Sequence, residues 1–299
     1  MTRVYKSIIW LTILLALSAC EQLGLSGSTS EKANLTPEQI KARIKLQQEL
    51  AQFQGLQQQI QSQIDMDIKR RDELRLANPG NRFATPVKVG DKSPLGSDQA
   101  MVAIVEFTDY QSTFCGHHAN ITMPQIKRDY IDSGKIRYYV RDFPQVIHDQ
   151  AKYAAVVARC AAKQGRFWPM HDRLFANQKR LDPRFYLQFS NDVGLEPGLL
   201  SDCLTGKDAI AAVDNDSLYG SSIGVNSTPA FFIGRIEDDQ IVDVVTINGE
   251  VAYSQFIPLV DSILALDAAD RDIKSSQLRK IELGRSISRL EGELSRFNR

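Results

Sequence analysis

The sequence predicts an α/β fold: one mixed domain with an α-helical insertion, flanked by helical extensions at both ends. Three observations lead there. An apolar run from Met101 to Phe107 feeds into helix-start chemistry at Ser112. A long stretch from about 148 to 220 carries helical periodicity only, and two β-rich runs and a helix follow it. Both ends of the chain space their apolar residues at threes and fours, the signature of amphipathic helices.

In order, the domain reads as strand 101–108, helix 113–133 and strand 136–142. Helices follow near 148–163, 166–178, 184–192 and 198–220, then strands 230–234 and 241–247 with Gly249 at the turn, and a helix 252–266. The stretch Val87 to Gln99 reads as a loop-rich lead-in. Upstream, Thr36-Pro37-Glu38-Gln39 is a helix start: Thr36 caps, Pro37 suits the first helical position, and Gln39 closes a capping box. The helix should run through the Gln-rich stretch to about Leu76, where Asn78-Pro79-Gly80-Asn81 breaks it. A helix this long needs a partner for its apolar stripe, so 35–78 reads as a stalk. At the other end, Leu283, Ile287, Leu290, Leu294 and Phe297 step by four, three, four and three, a coiled-coil spacing within an amphipathic helix 268–299. That helix either lies solvated on its own domain or packs against the stalk or other copies, giving a homo-oligomer.

The first residues carry export chemistry. Arg3 and Lys6 precede the apolar core Ile8 to Leu17, which is shorter than the roughly 20 residues a membrane span requires. Leu17-Ser18-Ala19-Cys20 resembles the lipobox of bacterial lipoproteins. That resemblance implies a signal peptide 1–19, a lipidated Cys20 and a membrane anchor through it. With Glu21 next, it further implies outer-membrane sorting in a Gram-negative envelope, facing the periplasm. The alternatives are an ordinary signal peptide or an uncleaved anchor. Residues 20–34 then form a Gly- and Ser-rich tether.

Lysine plus arginine and aspartate plus glutamate number 36 each, so the formal charge is zero and nucleic acid is not an expected partner. No cofactor is called for. His117 and His118 are adjacent on a helix and point about 100° apart, a poor arrangement for sharing a metal, so no metal site is assigned. His148 and His171 read as surface or packing residues. With Cys20 set aside for lipid, three cysteines remain. Cys160 and Cys203 sit in predicted helices of one segment and are the expected structural disulfide, the alternative being two buried, unpaired thiols. Cys115 is then the free thiol.

Three separated motifs now carry a family resemblance. VAIVEFTDYQSTFCGHH, from Val102 to His118, resembles the start of a DsbA-like thioredoxin domain. GVNSTPAFFIG, from Gly224 to Gly234, resembles that family's cis-proline strand, and Ala158 to Ala162 with Phe167 to His171 resembles its helical insert. The match covers roughly 85–267 and implies a thioredoxin fold with thiol–disulfide oxidoreductase ancestry. It implies a cis Thr228–Pro229 bond whose backbone docks envelope proteins or peptides. It also implies that Glu106 is the acidic residue beneath the cysteine pair, moving a proton to or from the shielded thiol; by itself Glu106 reads equally as a half-solvated strand-end carboxylate.

The pattern departs from the family at one residue. The C-x-x-C pair is Ser112-x-x-Cys115, so the attacking sulfur is missing. A serine hydroxyl stays protonated near neutral pH and cannot replace a thiolate. Ser112 is, however, a good N-cap. The expected catalytic set is therefore incomplete: Cys115, with Ser112 and Glu106, supports at most one-thiol chemistry. The alternative is a redox-inactive binding or scaffold protein that keeps the fold.

Overall fold

In the computed structural model, residues 35–77 and 82–297 are described. The export segment, Cys20, the tether and the Asn78–Asn81 breaker lie outside them. The described residues divide into two compact units, one within 58–281 and one of 35–57 with 282–297.

The larger unit is built on a seven-stranded sheet. Strands β1 (Arg82–Phe83), β2 (Val87–Lys88), β3 (Leu95–Gly96), β4 (Val102–Thr108), β5 (Ile136–Asp142), β6 (Ala230–Glu237) and β7 (Gln240–Asn248) run in the order β1-β7-β6-β4-β5-β3, with β2 also on β7. Only β4 and β5 pair in parallel. Their connection is the helical run α2, in which α turns (Thr113–His117, Met123–Ile126) alternate with π turns (His118–Thr122, Lys127–Ile131). The helical layer that follows comprises α3 (Ala151–Lys163), α4 (Phe167–Phe175), α5 (Pro183–Asp192), α6 (Pro197–Thr205) and α7 (Asp208–Ser222).

β4 is buried along its whole length, so both faces of the sheet are covered there. Val102 and Ile104 face one core with Tyr138, Phe231 and α2 to α6, while Ala103, Val105 and Phe107 face a second with Phe143 and Phe232. On this period-two alternation Glu106 shares the face of Val102 and Ile104, under α2.

Several sequence expectations need correction. The single helix 198–220 is two, because Gly206 adopts extended backbone after α6. The lead-in is not all loop: β2 and β3 are recruited there by β7 and β5. Helix 252–266 does not stop, and α8 runs from Tyr253 to Arg296.

The first helix, α1 (Pro37–Leu76), begins with the reciprocal capping box: Thr36 N donates to Gln39 Oε1 at 2.7 Å, and Gln39 N donates to Thr36 Oγ1 at 3.2 Å. In the smaller unit, Leu46, Leu50 and Phe53 are half-buried, and Ile287 and Leu290 are buried, at spacings of three and four.

Candidate functional site

The site starts with an aspartate that sequence reasoning passed over. Asp109 follows β4, is 1% exposed, and holds the turn into α2. Its Oδ1 accepts from Gln111 N at 2.7 Å and Ser112 N at 3.1 Å. Its Oδ2 accepts from Gln145 N and lies 2.8 Å from His148 Nδ1, tying in the 145–148 loop. An aspartate bonding the amide two residues on is an Asx turn, and Asp-x-x-Ser before a helix was the available signal.

Ser112 is the N-cap of α2, and its hydroxyl accepts from Cys115 N at 3.3 Å. Gln178 seals this turn from outside, donating to the carbonyls of Tyr110 (2.9 Å) and Ser112 (2.8 Å). Its amide occupies the space beside Gly116, where an added Cβ would lie 2.0 Å from Gln178 Oε1.

Cys115 has no exposed surface and is the free cysteine among the described residues. Burial, followed by the charge of Glu106, pushes its thiol up to about 11 from 9.0, against smaller opposing hydrogen bonds from Ser112 and the Asp109 backbone. At neutral pH this sulfur is a protonated, shielded thiol.

Beneath it, Glu106 is 2% exposed, so the half-solvated reading does not apply. Tyr138 donates its hydroxyl to Glu106 Oε2 at 2.8 Å. His118, 1% exposed, places Nε2 at 2.9 Å from the same hydroxyl oxygen. Burial drives the His118 imidazole below its ordinary pKa, so it is neutral. The two adjacent histidines do diverge: His117 is exposed and meets Glu250 at 2.9 Å.

The structure therefore brings Ser112, Cys115 and Glu106 together. Thr228–Pro229 is a cis peptide immediately before β6. Because Phe107 pairs with Ala230, it lies at the sheet end where β4 enters the site loop. Cys160 and Cys203 are joined at 2.07 Å between α3 and α6, in the helical layer. His171 is buried between Tyr110, Phe167 and Phe175 and contacts Asp172. No helix among the described residues is long and apolar enough to cross a membrane.

Comparison with known proteins places this geometry. A family profile described as thioredoxin matches residues 88–246. A Rickettsia conorii protein named as a protein-disulfide oxidoreductase is 27% identical over 150 residues, 48% of this chain and 53% of that protein. The disulfide bond formation protein D of Bacillus cereus is 34% identical over 88 residues, 29% of this chain and 40% of its own. The Na(+)/H(+) antiporter NhaA 3 of Salinispora tropica is 30% identical over 139 residues, which is 46% of this chain and 21% of the antiporter. The chain thus spans about a fifth to about half the length of these relatives. The crystal structure of Wolbachia pipientis alpha-DsbA1 superposes with a TM-score of 0.54 at 22% identity, covering 61% of this chain and 94% of that one, a likeness of fold. The matched profile spans more than half of the chain and includes the Ser112–Cys115 turn, the buried Glu106 and the cis proline; the chain belongs to the thioredoxin family.

Proposed function

We propose that this chain is an envelope lipoprotein of the DsbA-like family that performs at most one-thiol chemistry through Cys115, because Ser112 stands where the attacking cysteine would be. The observation that carries this reading is the pairing of a capping serine with a fully buried thiol pushed up to about 11. A dithiol cycle needs an exposed thiolate to attack and a second sulfur to resolve. Here the first is absent and the second is protonated. The chemistry left open is capture of an external disulfide by Cys115, with an outside thiol completing the cycle. The Arg3-to-Cys20 export pattern supports the envelope and the lipid anchor.

Restoring the sulfur tests the reading. The native chain should show no reductase activity in an insulin-type assay, and Ser112→Cys should gain it. A silent Ser112→Cys protein that is folded would sink the idea that one missing sulfur separates this site from an active one.

A second reading, a redox-inactive peptide-binding protein, is favoured by the exposed apolar side chains beside the site. Phe114 on the first turn of α2 and Val146 and Ile147 on the loop tied to Asp109 all face solvent. A client segment would pair its backbone at Thr228–Pro229 and cover these side chains. The helical extensions would then set oligomeric state or distance from the membrane.

A further inference from the structure

Two segments meet beside the site turn and leave a cleft of about 490 Å³ between them. One segment is the turn itself, which contributes Gln111 and Thr113 on either side of Ser112. The other follows α4 and contributes Asn177 and a 3₁₀ turn of Gln178, Lys179 and Arg180. The volume falls in the range of ligand-binding clefts. Neither Thr228 nor Pro229 lines it.

The charge of this cleft is one-sided. Lys179 and Arg180 are both exposed, and neither makes an ion pair among the described residues. Other surface cations are paired, as Lys127 is with Asp132, Lys152 with Asp214 and Arg184 with Asp182. None of the described residues that line the cleft is acidic. The Asp149 carboxylate is bonded to one of them, and it is already occupied. It accepts from Gln111 Nε2 at 3.0 Å and from Gln150 Nε2 at 3.4 Å.

The two cations are also held in place. Gln178 anchors their turn by donating to the carbonyls of Tyr110 and Ser112, in the slot that Gly116 leaves open. Arg180 stacks over the Phe185 ring of α5, 4.2 Å from its centroid, and donates Nη2 to Gln188 Oε1 at 3.1 Å. A guanidinium has five N–H donors, so most of those on Arg180 remain for a ligand. A cation fixed in advance loses less freedom when it binds.

We propose that this cleft docks an acidic stretch of a partner polypeptide, with its carboxylates on Lys179 and Arg180 and its backbone against Gln111 and Thr113. Two positioned cations with no carboxylate beside them complement an anion. The amide and hydroxyl groups of Gln111 and Thr113 both donate and accept, as a peptide backbone requires. Docking here is reversible and makes no covalent bond, so it does not depend on Cys115 reacting. It sets the partner alongside the Ser112–Cys115 turn.

The test uses the full non-lipidated chain and a fluorescein-labelled peptide of alternating aspartate and serine, with binding read by fluorescence anisotropy. Native protein should bind it and should bind the asparagine–serine counterpart at least tenfold more weakly. Lys179→Ala with Arg180→Ala should weaken binding on the order of tenfold. Lys179→Glu, which leaves the Arg180 stack intact, should weaken it as well. Lys41→Ala with Lys45→Ala removes the same charge from the exposed side of α1 and should leave binding unchanged. No binding, equal binding of the two peptides, or equal losses from the two lysine and arginine pairs would each overturn the proposal. Backbone amide signals locate the peptide. Those of Gln111, Thr113 and Asn177 should shift on titration. Shifts confined to Phe114, Val146 and Ile147 would put the peptide on the apolar rim, which would overturn this proposal while leaving the peptide-binding reading above in place.

Discussion

Cys115 shows how one side chain couples the site to stability. Burial pushes its thiol up to about 11 in the folded chain, from an ordinary value of 9.0 when exposed. Between those values the folded state holds the additional proton, so stability falls as pH rises, by about 3 kcal/mol over the full window. His118 works from the other side. Its folded pKa lies below 6.5, so the unfolded chain takes up a proton that the folded one refuses, and stability falls as pH drops below that value. Urea unfolding should therefore show a maximum between about pH 6.5 and 9. Cys115→Ala should flatten the alkaline limb, though not abolish it, since buried Tyr110 and Tyr138 are also raised and act in the same direction. An alkaline limb unchanged in Cys115→Ala would contradict this assignment. Of these residues, Ser112, Cys115 and Glu106 were legible because each sits in a local motif. Asp109, Tyr138, His118 and Gln178 were not, because their roles depend on partners from other elements.

The same contrast holds for elements. The lead-in, β5, α3 and α7 are held together by a buried ion network that no sequence pattern announces. Lys92, Asp142, Arg159 and Asp216 are each at most 6% exposed. Lys92 Nζ meets Asp142 at 2.8 Å and Asp216 at 3.3 Å, and Arg159 reaches both carboxylates. Arg141 adds a contact to Asp216 at 2.6 Å. Removing one partner leaves buried charge uncompensated, so Asp216→Ala should cost about 3–5 kcal/mol in chemical unfolding. A loss under about 1 kcal/mol, the scale of exposed pairs, would show that water compensates the cations. The disulfide makes a separate contribution. It closes a loop of 43 residues, and Cys160→Ser with Cys203→Ser should lower stability by about 4 kcal/mol on the chain-entropy model. An unchanged unfolding midpoint would mean that α3 and α6 are restrained equally without it. The long strands and α3 to α5 were readable from periodicity. Strands β1 to β3 were not, since two-residue strands exist only through the edges that pair with them.

At the scale of the whole molecule, the last helix of the thioredoxin domain and the C-terminal extension form one element, α8. α8 passes without a break from the domain into its tail because Asp267 to Asp272 are tolerated in a helix, with Arg271 paired to Asp267 at 3.1 Å. The proposed anchor is a property of this scale. Cys20→Ser should abolish incorporation of labelled fatty acid and release the chain into the soluble envelope fraction. Continued labelling of that variant would refute the assignment of Cys20.

The sequence by itself determined the fold class, the order of long elements, the missing sulfur at position 112 and the family. These are written in period, capping residues and short motifs, which act over a few neighbours. Tertiary structure decided what the remaining sulfur is. Burial of Cys115 on the inner face of α2, the charge of Glu106 beside it and the Tyr138–His118 pair behind that carboxylate come from β4, β5 and α2 meeting in space. Desolvation depends on what surrounds a group on every side, and that is fixed only when distant segments pack.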